Sequence, residues 1–476
     1  MRRGGLGGDM RRIRTTLGAG MLALWPALAG AGVPEAEAAK LGSVLTPAGA
    51  EAAANASGTI PAWEGSKRFR PEQLKLTYDD LQRLRRTDPA ALARALAPNG
   101  AADKPSFVIT KANLAQHADK LSAGHKAMFE RYPTWQMRVF PSVRGAFLPA
   151  AVEAATKLNA VQARLEGSDK VSGAKLGVPF PLPRSGAEVI WNHKLKFRGS
   201  AVRRFNNEVI VAQDGSYQLA RIVEDVKFKY GDPKAPSPIE DGIILYYLQE
   251  VLTPKRIAGQ MLLVHETTDQ TEGGRSAWIF NPGLGRTRRA PNVGYDNPKA
   301  SADGLMFNDQ TDMYNGALDR YNWKLLGKRE AYIPYNSTPV LGAGVSYDKL
   351  IRKGHINPEL AHYELHRVWV VEATLKPGLR HAFRRRVFYL DEDSWSVSMV
   401  DCYDDRDQLW RFQEAHLTSF PFVPVTSGSP EVHHDLQSGR YFVTASFSGD
   451  DYPDFSLQLE DNYFRPQTLA SRKLRK

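Results

Sequence analysis

The stretch from Arg385 to Phe412, RRVFYLDEDSWSVSMVDCYDDRDQLWRF, contains three runs of aromatic and β-branched residues separated by two acid-rich segments. Aromatic and β-branched residues favour strands, and the Asp and Ser residues between the runs favour tight turns. In a strand, Trp395, Val397 and Met399 fall on one face and the serines between them fall on the other. The stretch therefore predicts neighbouring antiparallel strands, in a sheet with one apolar and one polar face.

The acidic residues of this stretch allow two interpretations, turn formation and catalysis. Asp391, Asp393, Asp404 and Asp405 stand where the strand alternation breaks. Short carboxylates at such positions accept hydrogen bonds from nearby backbone N–H groups. Turn formation is the prediction. An enzyme that uses Asp391, Glu392 and Asp405 is the less favoured alternative.

Strand patterns extend outward from this stretch over most of the C-terminal half. From Ala187 to about Leu417, candidate strands follow one another, and the Asp214-Gly215 dipeptide suits a tight hairpin turn. Many consecutive strands with short connections indicate an antiparallel meander rather than a parallel sheet with crossover helices. The fold class predicted is mainly β (α+β), a large curved antiparallel sheet that forms a half-barrel, with helices packed in or over its concave face.

The region before the sheet is rich in alanine and has two helical patterns, YDDLQRLRRTDPAALARALA and PAAVEAATKLNAVQARLEG. In the second, apolar residues recur every three or four positions, at Val152, Ala155, Leu158, Val161 and Leu165. The predicted domain organisation is a signal peptide (1–38), an N-terminal helical and loop region packed on the sheet (39–185), the half-barrel (186–420) and a C-terminal extension (421–476).

The formal charge of +11 does not indicate a nucleic-acid-binding protein. The 63 basic residues are scattered among 52 acidic ones, and the longest basic runs are three residues. The motifs of the common nucleic-acid-binding modules are also missing from the sequence. We therefore expect no nucleic-acid partner.

The N-terminus has the pattern of a secretory leader. Arg11, Arg12 and Arg14 precede an apolar stretch, and Ala36-Glu37-Ala38 offers a small-x-small cleavage site. The prediction is a periplasmic protein after cleavage, and a retained membrane anchor is the alternative. The single cysteine, Cys402, allows no internal disulfide and is predicted to be a buried strand residue rather than a nucleophile.

Motifs of familiar enzymes and metal sites are not found in the sequence. HYELH has its Glu364 two residues after His362, whereas the zinc-protease motif has Glu directly after the first His. If the segment is a strand, His362 and His366 lie about 13 Å apart, too far to share an ion. There is no phosphate loop, dinucleotide fingerprint or nucleophile elbow. The protein is predicted to be no enzyme, with no catalytic residue, metal or cofactor.

Arginines and tryptophans supply the candidate binding residues. In strands, Arg286 and Arg288 share a side, as do Arg384 and Arg386, which gives forks for a phosphate or carboxylate headgroup. Ion pairing with neighbouring acids is the alternative for these arginines. The aromatic and thioether side chains predicted to contact a hydrophobic ligand are Trp191, Trp278, Trp323, Trp369, Trp395 and Met399.

Packing in the protein's own core is the alternative for each tryptophan. An unfilled hollow on the sheet would accept an acyl chain or sterol, since each buried methylene contributes about 0.8 kcal/mol.

Several long motifs resemble a bacterial envelope family. They include LGSVLTPAGAEAAANASGTIPAWEG, EVIWNHKLKFRG, AWIFNPGLGRTRRAPNVGYDNP, DMYNGALDRYNWKLLGKREAYIPYN and the segment around the opening stretch. Together they resemble the domain-of-unknown-function family 1329, also labelled outer-membrane lipoprotein-sorting protein. The resemblance extends from about Leu41 to His416.

The resemblance implies a Gram-negative periplasmic protein with a half-barrel similar to the lipoprotein carriers LolA and LolB. It also implies an association with exporters of the resistance-nodulation-division (RND) type, and it supplies no catalytic residues. The function predicted is a non-catalytic carrier of a lipid or other hydrophobic ligand, with transient membrane contact and an RND-type exporter or outer-membrane partner. The alternatives are an envelope assembly factor without ligand and, less favoured, a hydrolase acting on envelope lipid or glycan.

Overall fold

The computed structural model describes residues 1, 32–234, 242–269, 274–290, 294–342 and 344–472. The basic and apolar parts of the predicted leader lie outside the described residues. Within these ranges, no helix combines the length and the apolar character needed to cross a membrane.

Short helices dominate the N-terminal region and strands dominate the rest. The α-helices are α1 (Glu35–Ala38), α2 (Tyr78–Thr87), α3 (Pro89–Leu96), α4 (Ala123–Arg131), α5 (Ala150–Gln162), α6 (Gly186–Leu195) and α7 (Tyr347–Leu350). The first nine strands are β1 (Phe107–Ile109), β2 (Met137–Phe140), β3 (Arg164–Glu166), β4 (Lys170–Ser172), β5 (Ala201–Phe205), β6 (Asn207–Val211), β7 (Tyr217–Lys227), β8 (Ile243–Thr253) and β9 (Met261–Thr267). The others are β10 (Ser276–Asn281), β11 (Arg286–Arg289), β12 (Tyr321–Pro334), β13 (Tyr363–Leu375), β14 (Arg385–Asp391), β15 (Val397–Tyr403), β16 (Leu409–Phe420), β17 (Val425–Asp435) and β18 (Tyr441–Ser446).

Sixteen of these strands form one open sheet. Its order is β1-β2-β13-β14-β15-β16-β17-β18-β6-β7-β8-β9-β10-β11, with β12 paired to β13 and β5 paired to β7. Pairing is antiparallel except for a two-residue parallel contact between β2 and β13. The predicted fold class, mainly β with a large sheet, is confirmed. The sheet continues past the boundary predicted at residue 420, because β17 and β18 are interior strands.

The opening stretch forms the hairpin β14–β15 and the start of β16, as predicted. Its faces differ from the prediction: Ser396 and Ser398 are 2% and 0% exposed, so the expected polar face is buried as well. Ser398 donates to the Tyr389 carbonyl, and a register shift beside Tyr389 accommodates it. Trp395 lies in the turn with φ +58°, not in a strand. Both faces of this part of the sheet are therefore covered.

The predicted helices are present, and the second has a different buried face. YDDLQRLRRTDPAALARALA forms α2 and α3, which are separated at Asp88. In α5 the buried residues are Val152, Thr156, Asn159 and Ala160. Leu158 of the predicted stripe is 57% exposed. Polar groups of α5 bond instead to neighbouring loops; Asn159, for example, donates to the Lys175 carbonyl.

Helix α6 covers the sheet and holds Trp191, which was wrongly predicted to lie in a strand. Ser185 and Glu188 form a capping box at its start. Its other residues are all buried, against β12 and β13. A side chain at Gly186 would meet Val371 Cγ1 at 2.8 Å and the Trp323 backbone at 2.9 Å, so only glycine permits this close approach.

Two large clusters form the core. One joins the N-terminal region and α6 to β12–β16, and the other joins α2 and α3 to β6–β10 and the C-terminal segment. Cys402 lies in the first cluster, in β15, at 0% exposure, as predicted. The predicted cleavage site Ala36-Glu37-Ala38 lies in α1, where Ala38 is buried. Val33, just before the helix, is also buried, and its N–H donates to the Ala160 carbonyl at 2.8 Å.

Candidate functional site

The main cleft, with a volume of about 680 Å³, lies between α3 and the start of β13. Five chain segments line it: the loop that contains Arg70, α3 with the loop that follows, β2, the turn after β12 and the loop before β13. The lining residues are Arg70, Ala93, Arg94, 97–103, Arg138, Phe140, Asn336, Thr338, Pro339 and 359–362. This size is typical of small-molecule sites.

Local sequence signals position the α3 wall of the cleft. Asp88 caps the helix by accepting from the Ala91 N–H at 2.9 Å, and Pro89 occupies the first turn. Leu92 and Leu96 are buried on one face. Ala93 lies on the cleft side, where its small side chain leaves room.

Three arginines lie on the rim of the cleft, together with the acidic Asp103 and Glu359, so the lining has a small excess of positive charge. Arg70 donates to Asn99 Oδ1 at 3.0 Å, Arg94 lies 3.8 Å from Asp88 Oδ2, and Arg138 donates to the Glu359 carbonyl. The Arg94 side chain is 70% exposed. Guanidinium groups at such positions can bind a carboxylate or phosphate in a bidentate manner.

The floor of the cleft combines an aromatic surface with buried polar groups. His362 stacks on Phe140 with ring centroids 3.9 Å apart, and burial lowers the pKa of His362, so the imidazole is neutral. Asn336 donates to Glu364 Oε1 at 2.8 Å. Glu364 is 1% exposed and also accepts from the Val143 N–H at 2.8 Å.

Behind the floor lies a buried ionic cluster, which we define as Arg144, Glu364, His366, Arg367, Asp391, Glu392 and Asp393. His366 Nε2 lies 3.0 Å from Glu364 Oε2, so this carboxylate joins the cluster to the cleft. Arg144 binds both oxygens of Asp393, at 2.9 and 2.7 Å.

Glu392 is the second carboxylate of the turn that is paired in the cluster. Arg367 Nε donates to Glu392 Oε1 at 2.7 Å, and Arg144 Nη2 donates to the same oxygen at 3.2 Å. Lys328 and Glu51 extend this network to the surface, where the Glu51 side chain is 51% exposed. The hairpin turn is therefore bound to β12, β13 and two N-terminal loops.

Asp391 and His366 of the cluster both have raised pKa values. Burial and the charge of Asp393 raise the pKa of Asp391 to about 6. Burial alone would lower the pKa of His366, but its hydrogen bond to Glu364 and the nearby carboxylates raise that pKa above its ordinary value. Such paired shifts are typical of carboxylates forced close together without water.

The predicted ligand residues lie outside the cleft. Trp191, Trp323, Trp369, Trp395 and Met399 belong to the first core cluster or pack against it, and Trp278 of β10 packs against the second. Trp369 and Trp395 stack with centroids 6.0 Å apart.

Backbone carbonyls hold three of these indoles. Trp191, Trp323 and Trp395 donate to the carbonyls of Ser168, Leu318 and Ala48, respectively. A role of the six residues in ligand binding stays a prediction.

The predicted headgroup arginines are not brought together. Arg286 and Arg288 are exposed on the edge strand β11. Arg384 is exposed and donates to the Asp405 carbonyl at 3.0 Å. Arg386 is 1% exposed and donates to Asp309 Oδ2 at 2.7 Å. The contact between Arg386 and Asp309 is the ion pairing given above as the alternative for these arginines.

The turn carboxylates form the predicted backbone hydrogen bonds. Asp391 Oδ2 accepts from the Ser394 N–H at 3.0 Å, and Asp404 Oδ1 accepts from the N–H groups of Arg406 and Gln408. The burial of Asp391 and its neighbours was not predicted. Their partner Arg144 lies in a loop 249 residues before Asp393, where neither periodicity nor a motif marks it.

Comparison with known proteins identifies relatives over most of the chain. The family described as "Protein of unknown function (DUF1329)" matches residues 108–470. An uncharacterized protein of Pseudomonas aeruginosa is 42% identical over 453 residues, which are 94% of this chain and 95% of the relative.

Similar solved structures include a DUF1329 family protein from Desulfovibrio piger, with 15% identity and a TM-score of 0.42. It aligns over 60% of this chain and 97% of its own. A putative outer membrane lipoprotein-sorting protein domain from Vibrio parahaemolyticus has 14% identity and a TM-score of 0.41, over 60% and 98% of the two chains. A LolA superfamily protein from Nitrosomonas europaea has 13% identity and a TM-score of 0.36, with the same coverage.

Proposed function

The chain belongs to the DUF1329 family, and from that premise we propose that it is a periplasmic binding protein for an anionic amphiphile, which it carries in the cleft beside α3. The observation that carries the proposal is the 680 Å³ cleft, in which a basic rim meets an apolar wall. A ligand with a carboxylate or phosphate head and a hydrocarbon tail matches both surfaces.

The cleft provides separate places for the two parts of such a ligand. Arg94 and Arg138 offer charge-assisted hydrogen bonds to the head. Ala93, Phe140 and Leu360 offer apolar contact to the tail. Each methylene that leaves water contributes about 0.8 kcal/mol, so a tail of ordinary length offsets the cost of ordering the ligand.

The sheet itself offers less room than the cleft. A second hollow, lined by Val202, Phe420, Phe447 and other apolar residues, has a volume of about 30 Å³. That is room for on the order of one or two water molecules. The cleft is therefore the better place for a tail than the packed tryptophans.

The assembly-factor alternative receives support from the same packing, because a sheet covered on both faces is a rigid scaffold. The hydrolase alternative is less favoured, since Asp391 and Glu392 are at most 1% exposed and out of reach of a substrate, while Asp405 is exposed in a different turn. An RND-type exporter as partner stays a prediction.

Displacement of a fluorescent fatty acid tests the proposal. Purified full-length protein is titrated with cis-parinaric acid, and bound probe is displaced with palmitate or with hexadecanol, which has the same chain length and no charge. We expect saturable binding and weaker displacement by hexadecanol, because the rim arginines favour an anionic head.

Cleft variants locate the site. Ala93→Trp fills the wall of the cleft and should weaken palmitate binding at least about tenfold, or 1.4 kcal/mol. Arg94→Glu should also weaken it, whereas the matched control Arg83→Glu on α2, whose side chain is 61% exposed, should not. Unchanged binding by a folded Ala93→Trp protein would contradict the proposed site, and no binding by the unmodified protein would favour the assembly factor.

A further inference from the structure

Three buried side chains behind the floor of the cleft are close enough to share an ion. His366, Asp391 and Asp393 each offer one ligand atom, and these atoms lie within 4.8 Å of one another. The three residues are at most 4% exposed. We propose that His366, Asp391 and Asp393 form a binding site for a divalent transition-metal ion.

The hydrogen bonds of His366 direct a lone pair toward Asp391. The Nε2–H group of His366 donates to Glu364 Oε2 at 3.0 Å, so in the neutral imidazole the lone pair is on Nδ1. Nδ1 faces Asp391 Oδ1 at 3.7 Å, which is too long for a hydrogen bond. Among the described residues, Asp391 Oδ1 has no hydrogen-bond partner although it is buried. A cation between the two atoms would satisfy both.

Tyr335 provides a second, independent indication of a ligand. Its ring lies 4.0 Å from that of His366, and the residue is 1% exposed. Its hydroxyl is buried and finds no hydrogen-bond partner within the part of the chain that the structure describes. Burial raises the pKa of Tyr335, and the charges of Asp391, Asp393 and Glu364 raise it further, so the hydroxyl is neutral. A neutral phenol oxygen can complete the coordination of a metal ion.

The net charge of the buried ionic cluster also favours binding of a cation. With every carboxyl group ionised, its charged members are two arginines, Arg144 and Arg367, and four carboxylates, Glu364, Asp391, Glu392 and Asp393. Two positive and four negative charges leave a balance of −2 when His366 is neutral. Lys328 and Glu51 at the surface pair with each other and cancel. An uncompensated buried charge is costly, and one divalent ion removes the imbalance.

The donor set selects the class of ion. One imidazole and two carboxylates suit Zn²⁺ or Mn²⁺, whereas Mg²⁺ and Ca²⁺ prefer sites made of oxygen ligands alone. In many metal sites, a carboxylate accepts a hydrogen bond from the second ring nitrogen of the metal-binding histidine, which orients the ring and raises its basicity. Glu364 has this position relative to His366. Arg144 leaves further lone pairs on the Asp393 oxygens free for the ion.

Protons are the competing way to neutralise the cluster. One proton on His366 and one on Asp391 would also bring its charge to zero. Neutralisation by a metal ion and neutralisation by protons predict different changes in stability when metal is added and when Asp391 is substituted. These measurements therefore distinguish the two explanations.

Metal analysis of the full-length protein tests the site. Protein treated with EDTA and then freed of the chelator is titrated with ZnCl₂, MnCl₂ and CaCl₂ by isothermal titration calorimetry, and its melting temperature is measured with and without each ion. We expect one ion of Zn²⁺ or Mn²⁺ per chain, weaker binding of Ca²⁺ and a higher melting temperature with the preferred ion.

Matched variants identify the ligands. Asp391→Asn and His366→Gln should weaken binding at least about tenfold, and Tyr335→Phe should weaken it less. Asp405→Asn, in the exposed acidic turn after β15, is the control and should bind as the unmodified protein does. Circular dichroism establishes whether each variant is folded. If Asp391→Asn and His366→Gln do not fold, the weaker binding expected of Tyr335→Phe still tests the site.

Two results would overturn the proposal. The first is an unmodified protein that neither binds an ion stoichiometrically nor melts at a higher temperature with one. The second is an Asp391→Asn protein that binds as tightly as the unmodified one. An Asp391→Asn protein that is more stable than the metal-free parent, with no effect of any ion on either, would establish that protons neutralise the cluster.

Discussion

Replacement of Arg144 by methionine should destabilise the protein by about 5 kcal/mol, because it removes the partner of two buried carboxylates. The guanidinium is 1% exposed and makes three hydrogen bonds to Asp393 and Glu392. It makes two more to the carbonyls of Pro61 and Glu51, at 3.2 and 2.7 Å. Breaking a buried ion pair from one side costs about 3–5 kcal/mol, and the Pro61 carbonyl left unpaired adds about 1 kcal/mol. The Glu51 carbonyl keeps a hydrogen bond from Arg367 Nη2 at 3.1 Å.

Urea unfolding followed by circular dichroism in the presence of EDTA measures the effect. The exposed pair Arg83–Asp80 supplies the control, since Arg83→Met should cost less than about 1 kcal/mol. The double variant Arg144→Met/Asp393→Asn should recover part of the loss, because it removes a charge that the single variant leaves buried. A loss below about 1 kcal/mol for Arg144→Met, or a double variant less stable than the single one, would refute the reasoning.

Three further predictions concern other parts of the molecule. Burial lowers the pKa of His416 and His434 to about 4, so below pH 6.5 the unfolded chain takes up protons that the folded chain does not. Stability should therefore fall between pH 6.5 and 4, and in urea titrations His416→Gln should reduce the slope by about 1 kcal/mol per pH unit. Burial raises the pKa of the Cys402 thiol to about 12, so Ellman's reagent should react with the denatured protein but not with the native one, and fast reaction of the native thiol would contradict its placement. Because Val33 and Ala38 pack against α5, N-terminal sequencing of exported protein should find a start before Val33, and a start after Ala38 would indicate that this packing is dispensable.

The sheet was predictable because its signals are local. Alternating residues and acidic turns mark the hairpin β14–β15, and Asp214-Gly215 marks the turn between β6 and β7, where Gly215 has φ +96°. The helix that contains Trp191 also had a local signal, the Ser185–Glu188 capping box. It was missed because polar and apolar residues of α6 are buried alike, so the helix has no amphipathic pattern. Alternation predicts only which residues share a face. Whether a face is covered depends on segments far away in the sequence, as the burial of Ser398 illustrates.

The candidate site was not predictable from the sequence, because distant segments build it. Arg144 and Asp393 are 249 residues apart, and the residues before Arg144 have no periodic pattern. HYELH drew attention to Glu364 and His366, and strand geometry predicted only that His362 and His366 are too far apart to share an ion. The structure pairs His366 with carboxylates of a turn that follows β14, and strand geometry alone gives no information about that contact.

The two parts of the cleft differ in how firmly the protein holds them, and this difference bears on how a ligand enters. The floor is fixed, because Glu364 accepts hydrogen bonds from Asn336, from the Val143 backbone and from His366 within a buried network. The wall is a helix of eight residues, held by two buried leucines and by the cap at Asp88. A short helix with few buried contacts opens at a lower free-energy cost than a sheet that is packed on both faces. Under the proposed function, we therefore expect an amphiphile to enter by displacing α3, with its head at the rim arginines and its tail against a floor that needs no reorganisation.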